Sequence, residues 1–376
     1  MSRQLPNFVV GPAAELPDFP WDTLEPFKKV AQAHPDGIVD LSVGTPVDPT
    51  PTLVREALAA ASDAPGYPQT WGTPDLREAV AGWFARRRGV PDVDPDGVLP
   101  TMGSKELVAW LPTLLVLGED DVVGIPAVAY PTYDVGARLA RATPVVVDGL
   151  AAYGPQTTVT RPKLLWLNSP SNPTGAVLGA AHLAKVVAWA RANGVVVASD
   201  ECYAELGWSD DAVPSILDPA VCGGSHEGLL AVYSLSKQSN LAGYRAAFLA
   251  GDVALVRRLL EVRKHAGMIV PWPVQRAMLA ALGDDAHVAE QKRRYAARRA
   301  TVRETLERAG FRIDASEAGL YLWSTRGDDA WASVAWLAER GVLVAPGTFY
   351  GAAGAQHVRV ALTATDDRIA AAASRW

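Results

Sequence analysis

Six short apolar runs mark the middle of the chain, at residues 122–125, 144–147, 164–167, 195–198, 230–233 and 246–250. None alternates apolar and polar positions as a strand with one wet face would, so each predicts a strand buried on both faces. Between and around them, helical spacing recurs at 51–61, 74–88, 103–116, 131–141, 179–192 and 252–265. Strand alternating with helix in this way predicts a mainly parallel sheet covered on both sides, a three-layer α/β/α domain. Residues 206–228 have no clear period and read as an irregular surface connection.

The pattern changes after residue 284. Val288, Tyr295, Val302 and Ala309 recur every seven residues among many Arg and Glu, and Gly310 offers a stop, which predicts one long amphipathic helix joining two domains. Beyond it, 311–313, 319–323, 342–344 and 358–362 read as strands and 331–340 as a helix, a smaller α+β domain. The proline-rich first 50 residues carry one helical segment, 21–34, and a short apolar run, 38–43. They read as an arm that completes the small domain. The predicted division is a large domain at 48–285, and an arm with small domain at 1–47 and 286–376.

Composition narrows the function without naming it. Hydrophobic residues make up 49% and charged residues 20%, which is globular. A net charge of −6 gives nucleic acid or an anionic membrane no general attraction, so any anionic ligand needs local basic groups. Cys202 and Cys222 form no CxxC pair, and neither a disulfide framework nor a metal site is indicated. The first residues lack a signal-peptide pattern, and the longest apolar stretch, 107–117, is too short to span a bilayer. A cytoplasmic protein is expected.

The chemistry collects where three predicted strands end. One opens into Asn168-Ser169-Pro170-Ser171-Asn172-Pro173-Thr174-Gly175, the next into Asp200-Glu201-Cys202-Tyr203, the third into Ser234-Leu235-Ser236-Lys237. Open α/β sheets bind ligands at the carboxyl ends of their strands. An amide, a carboxylate and an amine at one edge suit pyridoxal phosphate. Lys237 would form the Schiff base and move the substrate proton, and Asp200 would keep the pyridine nitrogen protonated. Asn172 and Tyr203 are candidates to donate to the phenolate oxygen. Gly103-Ser104-Lys105 would present helix N-terminal amides to the phosphate, joined by Ser234 and Arg245. Tyr130 could stack on the ring, and Arg359, set between Val358 and Val360, suits a substrate carboxylate. Each has an ordinary alternative: a solvated lysine, a capping aspartate, a turn asparagine, a core tyrosine, a structural ion pair.

Taken in order, Tyr67 before Gly72, Gly103-Ser104-Lys105, Tyr130, Asn172-Pro173-Thr174-Gly175, Asp200 with Tyr203, Ser234 with Lys237, Arg245 and Arg359 resemble the class I and II aminotransferases. These are fold-type I pyridoxal-phosphate enzymes, and the likeness runs from Gly44 to Arg359. The resemblance implies the roles above, with Lys105 acting through its backbone, the backbone around Gly44 beside the substrate and Arg359 on its α-carboxylate. It also implies a homodimer in which Tyr67 reaches the phosphate of the other subunit. Gly103-Ser104-Lys105-Glu106, the Ser199 to Tyr203 turn and Gly319-Leu320-Tyr321-Leu322-Trp323 look most like the actinobacterial N-succinyldiaminopimelate aminotransferases of lysine biosynthesis. Rivals on the same scaffold are a C–S lyase or a decarboxylase, and in another class a cofactor-binding regulatory module. The acidic chain and short arm disfavour the last. No GxGxxG follows an early strand, which disfavours a nicotinamide-binding fold.

Overall fold

The computed structural model describes residues 16–147, 161–209 and 211–376. Its largest sheet has seven strands in the spatial order Val98–Met102, Ala246–Gly251, Leu229–Ser234, Val196–Asp200, Leu164–Asn168, Val122–Ile125 and Thr143–Val146. Ala246–Gly251 runs against both of its neighbours, and the other pairings are parallel. The continuous apolar runs have a direct cause. Leu229, Ala231 and Tyr233 face one side, against Trp83 and Phe84 of helix Pro74–Arg88 and Val187 of helix Ala180–Asn193. Leu230 and Val232 face the other, against Leu107 and Leu111 of helix Ser104–Leu114. With helices on both faces, a strand has no wet side to carry polar residues.

Helix Ala286–Arg308 buries Val288, Tyr295 and Val302 as their spacing demands. It also buries Gln291, Arg298 and Thr305, a polar stripe at the same seven-residue spacing. Beyond it lies a four-stranded antiparallel sheet in the order Ala345–Pro346, Val358–Ala361, Tyr321–Thr325 and Arg312–Asp314. Val39–Asp40 joins this part by pairing in parallel with Val342–Leu343.

Several elements differ from the sequence reading. Strand Val98–Met102 is an addition, hidden in the sequence because Pro100 interrupts it; an edge position, with only one neighbour to satisfy, tolerates the proline. The strand expected at 342–344 splits into Val342–Leu343 and Ala345–Pro346, which belong to different sheets. The helix expected over 21–34 begins as a 3-10 turn at Pro20–Leu24 and is α-helical over Glu25–Gln32. Residues 206–228 contain the short helix Pro219–Cys222, and helices Trp272–Leu282 and Asp366–Ala373 are further additions. Among the described residues no helix is long and apolar enough to cross a membrane.

Candidate active site

Leu164–Asn168, Val196–Asp200 and Leu229–Ser234 are adjacent and parallel, so their carboxyl ends open side by side onto one cavity of about 780 Å³. Lys237 lies in the four-residue helix Leu235–Gln238, whose start is capped by Ser234 Oγ accepting from the Ser236 amide at 3.2 Å. Its Nζ donates to the Gly44 carbonyl. Gly44 has no room for a side chain: a Cβ there would collide with the Tyr321 hydroxyl.

Asp200 is buried at the end of its strand. Its Oδ2 accepts from the Tyr133 hydroxyl at 2.8 Å and its Oδ1 from the Cys202 amide at 3.2 Å. Burial pushes its carboxyl above the usual range, opposed only by hydrogen bonds from Cys202 and Tyr133. No Lys, Arg or His among the described residues pairs with it. A buried carboxylate held by neutral donors and facing a cavity fits a cationic ligand atom, such as a protonated ring nitrogen.

Asn168 knits the neighbouring loops together. Its Nδ2 donates to the carbonyls of Asp200 and Pro170 at 3.0 and 3.1 Å, and its Oδ1 accepts from the Asn172 amide at 2.7 Å. Asn172 Oδ1 in turn accepts from Arg359 Nη1 at 3.0 Å. Arg359 is 3% exposed and lies over the ring of Tyr321, 4.0 Å from guanidinium carbon to ring centre. Its Nη2 donates to the Ser42 carbonyl at 2.6 Å, while Nε has no partner among the described residues. Tyr203 shares a 3.1 Å hydroxyl contact with Tyr321, and burial first, then Tyr321, raises the Tyr203 hydroxyl well above its ordinary value. Tyr203 therefore stays protonated and able to donate.

Another part of the cavity wall offers groups that suit an anion. Gly103, at φ 82°, precedes helix Ser104–Leu114, whose first amides have no intrahelical acceptor. A Cβ on Gly103 would strike the Arg245 guanidinium, so only glycine lets this arginine close on the helix start. Ser104, Lys105, Ser234 and Arg245 all line the cavity here. Tyr130 lines it too; burial pushes its hydroxyl to about 12. The residues thus fit a cofactor that carries both a phosphate and a basic ring nitrogen.

Of the residues singled out in the sequence, Gly44, Asn172, Tyr203, Lys237 and Arg359 share this cavity with Asp200 and the anion corner. Gly103 shapes it from behind. Tyr67 does not join them: its side chain is fully exposed, outside the cavity of its own chain. The sequence reading missed Tyr133, Tyr321, Cys202, Phe19 and Trp21. Tyr133 had a faint signal, three residues after Tyr130 at a helix start. Phe19 and Trp21, ring centres 5.5 Å apart, enter the cavity wall from just before and from the first residue of the helical segment expected at 21–34.

Comparison with known proteins gives the family. The family model for aminotransferase class I and II matches residues 36–375. The chain is 63% identical to the probable aminotransferase Rv1178 of Mycobacterium tuberculosis over 97% of its own length and 86% of the relative. It is 60% identical to 4-dedimethylamino-4-oxo-anhydrotetracycline transaminase OxyQ of Streptomyces rimosus, covering 96% of this chain and 99% of that one. Among solved structures it resembles the probable N-succinyldiaminopimelate aminotransferase of Thermus thermophilus, with a TM-score of 0.84 and 31% identity over 95% of this chain and 99% of the other. On these matches the chain belongs to the class I and II aminotransferases, a pyridoxal-phosphate-dependent family.

Proposed function

We propose that the protein moves an amino group from glutamate to a 2-oxo acid, and that this acceptor is N-succinyl-2-amino-6-oxopimelate. The observation that carries the transaminase reading is the convergence of Asn172, Asp200 and Lys237 from adjacent strand ends onto one cavity with Arg359. Pyridoxal phosphate, when bound, supplies an electrophilic carbonyl carbon and a ring that accepts the electrons left as the substrate α-carbon loses its proton. In this reading Lys237 Nζ anchors the cofactor and later takes and returns that α-proton. Asp200 holds the proton on the ring nitrogen. With Asn172 Oδ1 occupied by Arg359, its Nδ2 donors are left for the phenolate oxygen, beside Tyr203. Tyr130 stacks on the ring. Ser104, Ser234, Arg245 and the backbone of Gly103 and Lys105 grip the phosphate, and Arg359 takes the α-carboxylate next to Gly44.

The same reading assigns 48–285 as the cofactor-binding domain and 1–47 with 286–376 as the arm and small domain. The working unit is a homodimer. Support comes from Tyr67, whose fully exposed side chain is free to reach the phosphate corner of a second copy.

The acceptor assignment is supported by the likeness to the Thermus thermophilus structure named above. A second acceptor, 4-dedimethylamino-4-oxo-anhydrotetracycline, is favoured by the aromatic wall of Phe19 and Trp21 and by the OxyQ identity. The test is a panel of acceptors with glutamate as donor, followed by 2-oxoglutarate release. The succinylated acceptor should give the highest kcat/KM. A higher value with the tetracycline precursor would replace the acceptor, and no 2-oxoglutarate with any acceptor would remove the transaminase reading.

A further inference from the structure

The residues just after Lys237 carry polar contacts that the reaction does not use. Ser239 is fully buried, and its Oγ lies 2.7 Å from His287 Nε2. His287 Nδ1 lies 2.8 Å from Asp284 Oδ2. A carboxylate can only accept, so Nδ1 carries a proton, and in the tautomer protonated there alone Nε2 accepts from the Ser239 hydroxyl. On the other side Gln238 Nε2 donates to Ser239 Oγ at 3.2 Å, and Gln238 Oε1 accepts from the Tyr233 hydroxyl at 2.6 Å. Donors and acceptors therefore match along the whole chain from Tyr233 to Asp284, and the chain brackets Lys237 in sequence.

A serine, histidine and aspartate in this order invite comparison with a nucleophilic triad. The serine is shut off, however: it is 0% exposed and does not line the cavity. What the contacts do is tie. The Asp284 carboxylate also accepts from the Ala286 and His287 amides at 3.3 and 3.1 Å, so it caps the start of helix Ala286–Arg308. One turn further, Gln291 Oε1 accepts from Asn240 Nδ2 and its Nε2 donates to Asp48 Oδ2, both at 2.8 Å. Arg298 then grips both Asp48 oxygens, at 2.6 and 2.8 Å. Asp48 lies four residues beyond Gly44, whose carbonyl receives Lys237 Nζ. The backbone behind the lysine and the segment that receives its amine are thus both fastened to one helix.

We propose that His287 is a positioning residue for Lys237, acting through Ser239, so that helix Ala286–Arg308 sets where the lysine amine sits relative to the substrate α-carbon. This rests on the role given to Lys237 above. Misplacing a reacting group by about 1 Å can cost roughly 10²-fold in rate, which is why such a tie matters.

The test compares holoenzymes carrying His287→Ala, Ser239→Ala or His287→Gln, with Arg293→Gln, an exposed side chain on the same helix, as control, each assayed below its own melting temperature. His287→Ala and Ser239→Ala should lower kcat for the glutamate half-reaction roughly ten- to a hundredfold, with KM changed less than about twofold. Both should also shift the pH midpoint of the bound cofactor's visible absorbance. His287→Gln, which can still accept from Ser239, should recover most of each effect, and Arg293→Gln should show neither. Lowered melting temperatures with wild-type kcat and an unchanged midpoint in both alanine variants would overturn the proposal, as would a glutamine variant no better than the alanine. Should His287→Ala fail to fold, Ser239→Ala decides alone. Lys237→Ala tests the lysine assignment separately, because it should replace the Schiff-base absorbance of the bound cofactor with that of the free aldehyde whichever way the His287 result falls.

Discussion

Asp200 and Glu201 are consecutive carboxylates, 7% and 1% exposed, with opposite surroundings. Glu201 lies 3.3 Å from Arg88 and accepts from the Ser215 hydroxyl at 3.1 Å and the Ile216 amide at 2.8 Å. Asp200 has the Tyr133 hydroxyl and the Cys202 amide, no cation among the described residues, and an open cavity. Burial raises both carboxyls; Arg88 pulls Glu201 back, whereas only hydrogen bonds oppose the shift at Asp200. The same side-chain chemistry thus serves two ends. Glu201 is satisfied by the protein and fastens the turn to helix Pro74–Arg88, while Asp200 is left with a charge that a ligand must complete.

The contrast is open to direct attack. Asp200→Asn should lower turnover roughly 10²–10³-fold, the scale of losing one preorganised electrostatic group. It should not destabilise the cofactor-free protein at neutral pH. The folded carboxyl titrates above its unfolded value, so the stability it contributes is fully present below the unfolded value and is lost as pH rises through the folded one. Removing the charge removes that loss, and thermal melts of both cofactor-free proteins from acid to neutral pH should show the wild type falling relative to the variant. Glu201→Gln should do the reverse. It strands the buried Arg88 and should cost about 3–5 kcal/mol in urea unfolding, with kcat per folded enzyme nearly retained. Equal losses of activity in both variants would erase the distinction. Tyr133→Phe, which removes one donor to Asp200, is the mildest change: about 0.5–1.5 kcal/mol, seen by equilibrium titration as up to roughly tenfold weaker cofactor binding.

The strand ends were the most legible part of the site in sequence. Asn172, Asp200 and Lys237 each follow an apolar run, and the rule that ligands gather at carboxyl ends brings them together from sequence alone. Arg359 was legible for another reason: a charge between two valines in a strand must find a partner or a cleft. Tyr133 was not, because an aromatic in a helix first turn usually means packing, and it does stack on Trp166 at 5.0 Å. The buried polar stripe of Gln291, Arg298 and Thr305 was hidden because polar positions on an amphipathic helix read as solvated. Strand Val98–Met102 was hidden by its proline, Phe19 by lying outside any periodic segment, and Trp21 by reading as the start of an ordinary helix.

The central claim is that this cavity transfers an amino group. The most direct measurement loads the wild-type protein with pyridoxal phosphate and adds glutamate without an acceptor, following the cofactor's visible absorbance and the products together. The expected result is conversion of the cofactor to its amino form with stoichiometric release of 2-oxoglutarate, reversed when a 2-oxo acid is added. A cofactor unchanged by glutamate, with pyruvate and ammonia released instead from a cysteine-type substrate, would contradict it.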